Sequence, residues 1–150
     1  MDPLNSNQSL YQVIRDTESV CISIRRGDFL SKKFKDDFLV CDKSYFLSAI
    51  IEIKKRIANP TFIFFSDDID WVKDNIKVEA PCYYESGNDP VWEKLRLMYS
   101  CKHFIISNST FSWWAQYLSR NEQKIVVSPR RWMNNTSKHF NLLNDSFIKI

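Results

Sequence analysis

The chain has 150 residues, 44% hydrophobic, 15% aromatic and 26% charged, with 21 Lys and Arg against 18 Asp and Glu. That apolar share fills the core of one ordinary domain and excludes a disordered scaffold, and a net charge of +3 does not demand a nucleic acid partner. Having only two glycines, Gly27 and Gly87, the chain can spell neither G-x-G-x-x-G nor G-x-x-x-x-G-K-[ST], so any phosphate must be held by side chains and helix ends.

Residues 1–18 read as a loosely held lead-in with a helical turn or two. Ser19 to Ile24 is β-rich and ends abruptly at Arg25-Arg26-Gly27-Asp28, which predicts a strand. After a polar stretch, Asp42 can cap a helix over about 43–58, with Tyr45, Phe46, Ala49, Ile50, Ile53 and Ile57 on one face. Asn59-Pro60 stops it. Thr61 to Phe65 is a continuous apolar run, the pattern of a strand buried on both faces. Ser66-Asp67-Asp68 opens a short helix through Trp71 to about Asn75, its acids at the positive end of the helix dipole. Pro81 to Tyr84 is a further strand. Asp89 is placed to cap, with Pro90 at the first position, a helix reaching about Cys101. His103 to Ile106 predicts a strand, Thr110 to Ser119 a helix, and Lys124 to Ser128 a last strand before Pro129-Arg130-Arg131-Trp132.

This alternation predicts an α/β fold with a doubly wound parallel sheet. Right-handed crossovers put every strand's carboxyl end on one edge, where such sheets bind ligands. The segments expected there are Arg25 to Asp28, Ser66 to Asp68, Glu85 to Asp89 and Ser107 to Thr110, and all are polar. Arg25 and Arg26 offer permanently charged forks matched to phosphate oxygens. Ser109, Thr110 and Ser112 stand at a helix start, where free N–H groups favour an anion. Asp67 and Asp68 could accept from a base or a ribose, or simply cap the following helix. Together these groups describe a nucleotide diphosphate pocket without a glycine loop. Asp68-Ile69-Asp70 spells D-x-D but falls inside a helix start, so no metal is assigned to it. The Arg26-Gly27-Asp28 tripeptide sits at a strand end rather than an exposed loop tip, the wrong place for an adhesion motif. Arg130-Arg131 and the tryptophans lack an RNA-binding signature, and no nucleic acid is expected. Cys21, Cys41, Cys82 and Cys101 form no C-x-x-C pair and, with two distant histidines, no zinc spacing. Free thiols in a reducing compartment are expected.

The residues also carry a family resemblance. Val20-Cys21-Ile22-Ser23-Ile24-Arg25-Arg26-Gly27-Asp28-Phe29 resembles the H-x-R-R-x-D motif of α-1,2- and α-1,6-fucosyltransferases, and Phe64 to Trp71 resembles their second motif. Trp92 to Met98, followed by Cys101 to Trp114, is similar to the signature of glycosyltransferase family 11, the α-1,2-fucosyltransferases; Phe147 to Ile150 resembles the family's ending. The resemblance implies the Rossmann-like C-terminal half of a GT-B glycosyltransferase, with GDP-fucose as donor, inverting transfer to the 2-hydroxyl of a galactoside and no cofactor or required metal. It implies that Arg25 binds the β-phosphate and stabilises the departing GDP, that Arg26 supports it, and that Asp28 fixes the arginines. Asp67 or Asp68 would read guanine or ribose, and Ser109, Thr110 and Phe111 would line the diphosphate and base pocket.

Two departures bear on this. The motif's histidine position holds Ser23, which weakens an orienting role there. Family members are about twice as long, so the resemblance implies that residues 19–150 are the GDP-fucose-binding domain, without the N-terminal acceptor domain. The alternative is a truncated, catalytically inactive module that only binds GDP or a GDP-sugar. The remaining expectations are a galactoside-terminated glycan as acceptor, self-association through an exposed cleft face, and a cytoplasmic protein at the periphery of a membrane. No run of about 18 apolar residues predicts a membrane span.

Overall fold

A computed structural model describes residues 4–27, 40–134 and 142–150. Asp28 therefore lies outside the described residues. The elements in chain order are a 3₁₀ turn (Asn5–Asn7), α1 (Gln8–Asp16), β1 (Glu18–Ile24), α2 (Lys43–Arg56), β2 (Pro60–Ser66), α3 (Ile69–Asn75), β3 (Cys82–Tyr84), α4 (Val91–Ser100), β4 (His103–Ile105), α5 (Thr110–Leu118), β5 (Val126–Ser128) and β6 (Ile148–Lys149). All six strands join one parallel sheet in the order β3-β2-β1-β4-β5-β6.

Local chemistry explains the main elements. All seven residues of β2 are buried, as a strand covered on both faces must be. The Asp42 carboxylate accepts from Tyr45 N at 2.9 Å to start α2, and Lys54, Lys55 and Arg56 complement the negative end of that helix. Asn59 then takes a left-handed φ of 54°, which Asn tolerates better than most residues, and turns the chain into Pro60. Pleating sends alternate side chains to opposite faces. Val20, Ile22, Ile24, Phe62 and Phe64 pack with α2 and α3 on one side. Cys21, Ile63, Phe65 and Phe104 pack with α1, α4 and α5 on the other.

The expected doubly wound parallel sheet is thus present, with corrections. The lead-in is not loosely held: it carries a nine-residue helix whose Ile14 is fully buried against the second face. Asp89 does not cap α4; Pro90 occupies the cap position, and the helix begins at Val91. The strand expected from Lys124 starts at Val126, and a sixth strand at Ile148–Lys149 pairs with it through Val127 and Ser128.

The strand order is that of the dinucleotide-binding doubly wound fold, reversing direction between β1 and β4. The carboxyl ends of those two strands flank the crevice where such sheets take ligands.

Candidate functional site

β1 and β2 run in register from Glu18 opposite Pro60 to Ile24 opposite Ser66, so both strands stop together and deliver Arg25 and Asp67 side by side. A cleft of about 360 Å³ opens at this edge, lined by Ser23, Arg25, Asp67, Lys94, Met98 and Phe111 among others. The side chain of Arg25 is 36% exposed, with Nε 4.0 Å from Asp67 Oδ2. Lys94 enters from the first turns of α4, where its Nζ donates to the Gly87 carbonyl at 3.0 Å. Across the crevice, α5 begins at Thr110. Ser109 makes no side-chain cap, so the first N–H groups of that helix take no bond from it, and Phe111 from its first turn lines the cleft.

Of the residues singled out from sequence, Arg25, Asp67 and Phe111 share this cleft. Ser109 is buried and Thr110 exposed at the start of α5. Arg26 points elsewhere: its guanidinium lies 3.7 Å over the Trp71 ring, and its Nε is 3.4 Å from Asp68 Oδ2. Asp68 also caps α3, accepting from Trp71 N at 3.2 Å, and lines a neighbouring acidic recess with Asp70, Lys73 and Glu85. Ser112 is buried and donates to the carbonyls of Ser107 at 3.1 Å and Ser109 at 2.9 Å, so it shapes the turn before α5. Ser23, at the motif's histidine position, is buried on the cleft floor.

The residue pattern alone does not single out Lys94 as a cleft residue. Its signal was a cation in the first turns of the helix that follows a strand-end segment already noted as polar. Glu85 closes the end of β3, where Glu85 N donates to the Phe64 carbonyl at 2.9 Å. Burial, then its contact with Asp89, pushes the Glu85 carboxyl above the usual carboxylate range. The cysteines are free thiols; burial pushes Cys41 up to about 12 and Cys21 well above the ordinary thiol range, so neither is a nucleophile at neutral pH. Among the described residues, no three of His, Cys, Asp and Glu converge as a metal site, and no helix is long and apolar enough to cross a membrane.

Comparison with known proteins fixes the family. The model of glycosyl transferase family 11 matches residues 4–147. The chain belongs to that family.

Among its relatives, the O-antigen biosynthesis glycosyltransferase WbnK of Escherichia coli is 36% identical over 144 residues, covering 92% of this chain and 46% of that protein. An alpha-1,2-colitosyltransferase of Escherichia coli is 35% identical over 145 residues, covering 87% of this chain and 47% of that protein. The human galactoside alpha-(1,2)-fucosyltransferase 1 is 26% identical over 137 residues, covering 87% and 34%. The family 11 chain thus spans about half the length of the bacterial relatives it matches. No solved structure matches it. The family match begins at residue 4, so α1 lies inside the matched region, as its packing requires.

Proposed function

We propose that this domain binds the diphosphate of GDP-fucose across the crevice between β1 and β4, as the donor-binding part of a galactoside α-1,2-fucosyltransferase. The observation that carries the reading is Arg25 at the end of β1, in one cleft with Lys94 and the start of α5, at the reversal of strand order. Two cations and the positive end of a helix suit a diphosphate. As the bond from the sugar carbon to the diphosphate breaks, negative charge builds on the departing oxygen. Preorganised donors there stabilise the transition state, each on the scale of about 2.7–4 kcal/mol. Guanidinium and helix-end N–H groups supply the positive charge that meets it, which supports transfer without a required metal; inversion is what the family resemblance implies. The acidic recess beside the cleft, lined by Asp67, Asp68, Asp70 and Glu85, supports contact with the base or ribose. The acceptor is a galactoside presenting its 2-hydroxyl. One relative's name gives colitose as the sugar, so the titration includes GDP-colitose beside GDP-fucose.

Four free thiols support a reducing compartment such as the cytoplasm, with glycan assembly at a membrane periphery. Val91, 69% exposed at the cleft wall, supports contact between this face and a second protein surface, another copy included. Calorimetric titration with GDP, GDP-fucose, GDP-colitose and UDP, beside a transfer assay on lactose, tests the proposal. GDP and GDP-fucose should bind and UDP should not. A flat GDP titration would reject the reading, whereas GDP binding without turnover would favour a module that only binds. Arg25→Ala should abolish GDP binding while leaving the circular dichroism spectrum unchanged; loss of the folded signal would make Arg25 structural instead.

A further inference from the structure

We propose that Asp67 is a positioning residue, whose carboxylate grips the backbone of the turn after β1 and so sets how Arg25 enters the cleft. This rests on the reading that Arg25 holds the diphosphate. Asp67 Oδ1 accepts from Arg26 N at 2.9 Å, and Oδ2 accepts from Gly27 N at 2.8 Å. Two consecutive backbone N–H groups form a concavity that suits an anion, and here the anion is the protein's own carboxylate. The phosphate must therefore be met by the Arg25 side chain and the start of α5 rather than by this turn's amides.

The identity of residue 27 fits the same contact. A Cβ built on it would lie 2.9 Å from Asp67 Oδ2, closer than packed atoms allow. A side chain at this position would force Asp67 Oδ2 to shift from its bond to Gly27 N. One of only two glycines in the chain stands where the carboxylate needs its space.

A second contact holds the same turn from the next residue. Arg26 stacks on Trp71 at 3.7 Å, and its Nε lies 3.4 Å from Asp68 Oδ2. Asp68 is itself fixed by capping α3 and by its backbone N–H donating to Ser66 Oγ at 3.0 Å. Successive residues of the β2–α3 turn thus hold successive residues of the β1 turn. Each oxygen of Asp67 accepts one bond from the turn, so removing the carboxylate would release both amides at once. Asp67 acts through Arg25 and not on the nucleotide.

The test combines amide hydrogen exchange with three titrations. In the unliganded protein, the amides of Arg26 and Gly27 should exchange slowly. They should exchange at least about tenfold faster in Asp67→Asn and in Gly27→Ala, with the core strands unchanged. Inorganic pyrophosphate and GDP should both weaken by the same factor, about tenfold for one lost charge-assisted contact, while guanosine binding stays as in wild type. Weaker guanosine and GDP binding with pyrophosphate untouched would make Asp67 a base-reading ligand and overturn the proposal. Unchanged amide exchange in both variants would overturn it as well. If wild-type protein binds neither GDP nor pyrophosphate, the diphosphate reading fails, and the exchange measurement still decides whether Asp67 holds the turn.

Discussion

Glu85 is 1% exposed, and its Oε2 has no hydrogen-bond partner among the described residues. Asp89 Oδ2 is buried in the same condition at the other end of the β3–α4 loop. A proton held by Glu85 lets one acid donate to the other, which agrees with its carboxyl being pushed up by burial and then by Asp89. A carboxyl whose folded pKa exceeds its unfolded value keeps its proton where the unfolded chain has released it. Its contribution to stability is therefore present at acid pH and is lost as pH rises from the ordinary carboxylate range through the folded value. Glu85→Gln keeps a donor toward Asp89 and has nothing to titrate. It should melt above wild type at neutral pH, with the difference shrinking toward pH 4; thermal melts across that range would show an unchanging difference if Glu85 were ionised throughout. The arginines teach the complementary lesson. As phosphate forks Arg25 and Arg26 look alike, and the family resemblance gives Arg25 the β-phosphate and Arg26 a supporting role; Arg25 lines the cleft while Arg26 packs on Trp71 beside Asp68.

At the scale of elements, α2 reaches the site indirectly. Tyr45 is buried, and its hydroxyl donates to the Ile106 carbonyl at 2.5 Å, with the Val127 carbonyl at 3.4 Å. It thereby joins the ends of β4 and β5 one residue before Ser107-Asn108-Ser109. Burial pushes the phenol well above its ordinary pKa, so it stays a donor. Tyr45→Phe keeps the ring and removes the donor, which should cost about 1–3 kcal/mol in urea unfolding. A cost near zero would show that the hydroxyl does not hold these strand ends. The residues told which elements exist wherever periodicity or continuous apolar character was strong, as in α2 and β2. They did not tell where α4 begins, because Asp89 and Pro90 both satisfy start rules; in the structure the Asp89 N–H donates to Glu85 Oε1 at 3.4 Å, which keeps Asp89 in the loop. They hid β6 because Ile148-Lys149 is too short to carry an alternation, and it becomes a strand only by pairing with β5.

At the scale of the molecule, α1 is part of the domain rather than an appendage. Ile14 is fully buried beside Cys21, Phe104 and Leu97. Glu93, also buried, accepts from Asn7 Nδ2 at 3.1 Å and holds Arg96 through both oxygens, tying the start of the chain to α4. The Arg96 guanidinium beside it holds the Glu93 carboxyl below the ordinary range. Ile14→Ala should therefore cost about 2–5 kcal/mol in urea unfolding, as a core truncation does. A loss under about 0.5 kcal/mol would return α1 to the status of a surface segment.

What the sequence by itself determined was the class of fold, the family signature, and the list of polar segments at strand ends. Those follow from local periodicity and from residue chemistry, which need no partner to be read. What only the tertiary structure decided was the strand order that makes β1 and β4 the crevice walls, the arrival of Lys94 in the cleft, and the different contacts made by Arg25, Arg26, Asp67 and Asp68. The reason is physical: each of those depends on which strands hydrogen-bond and on contacts across dozens of residues, such as the 2.8 Å bond from Gly27 N to Asp67. Nothing local in the chain encodes such a distance.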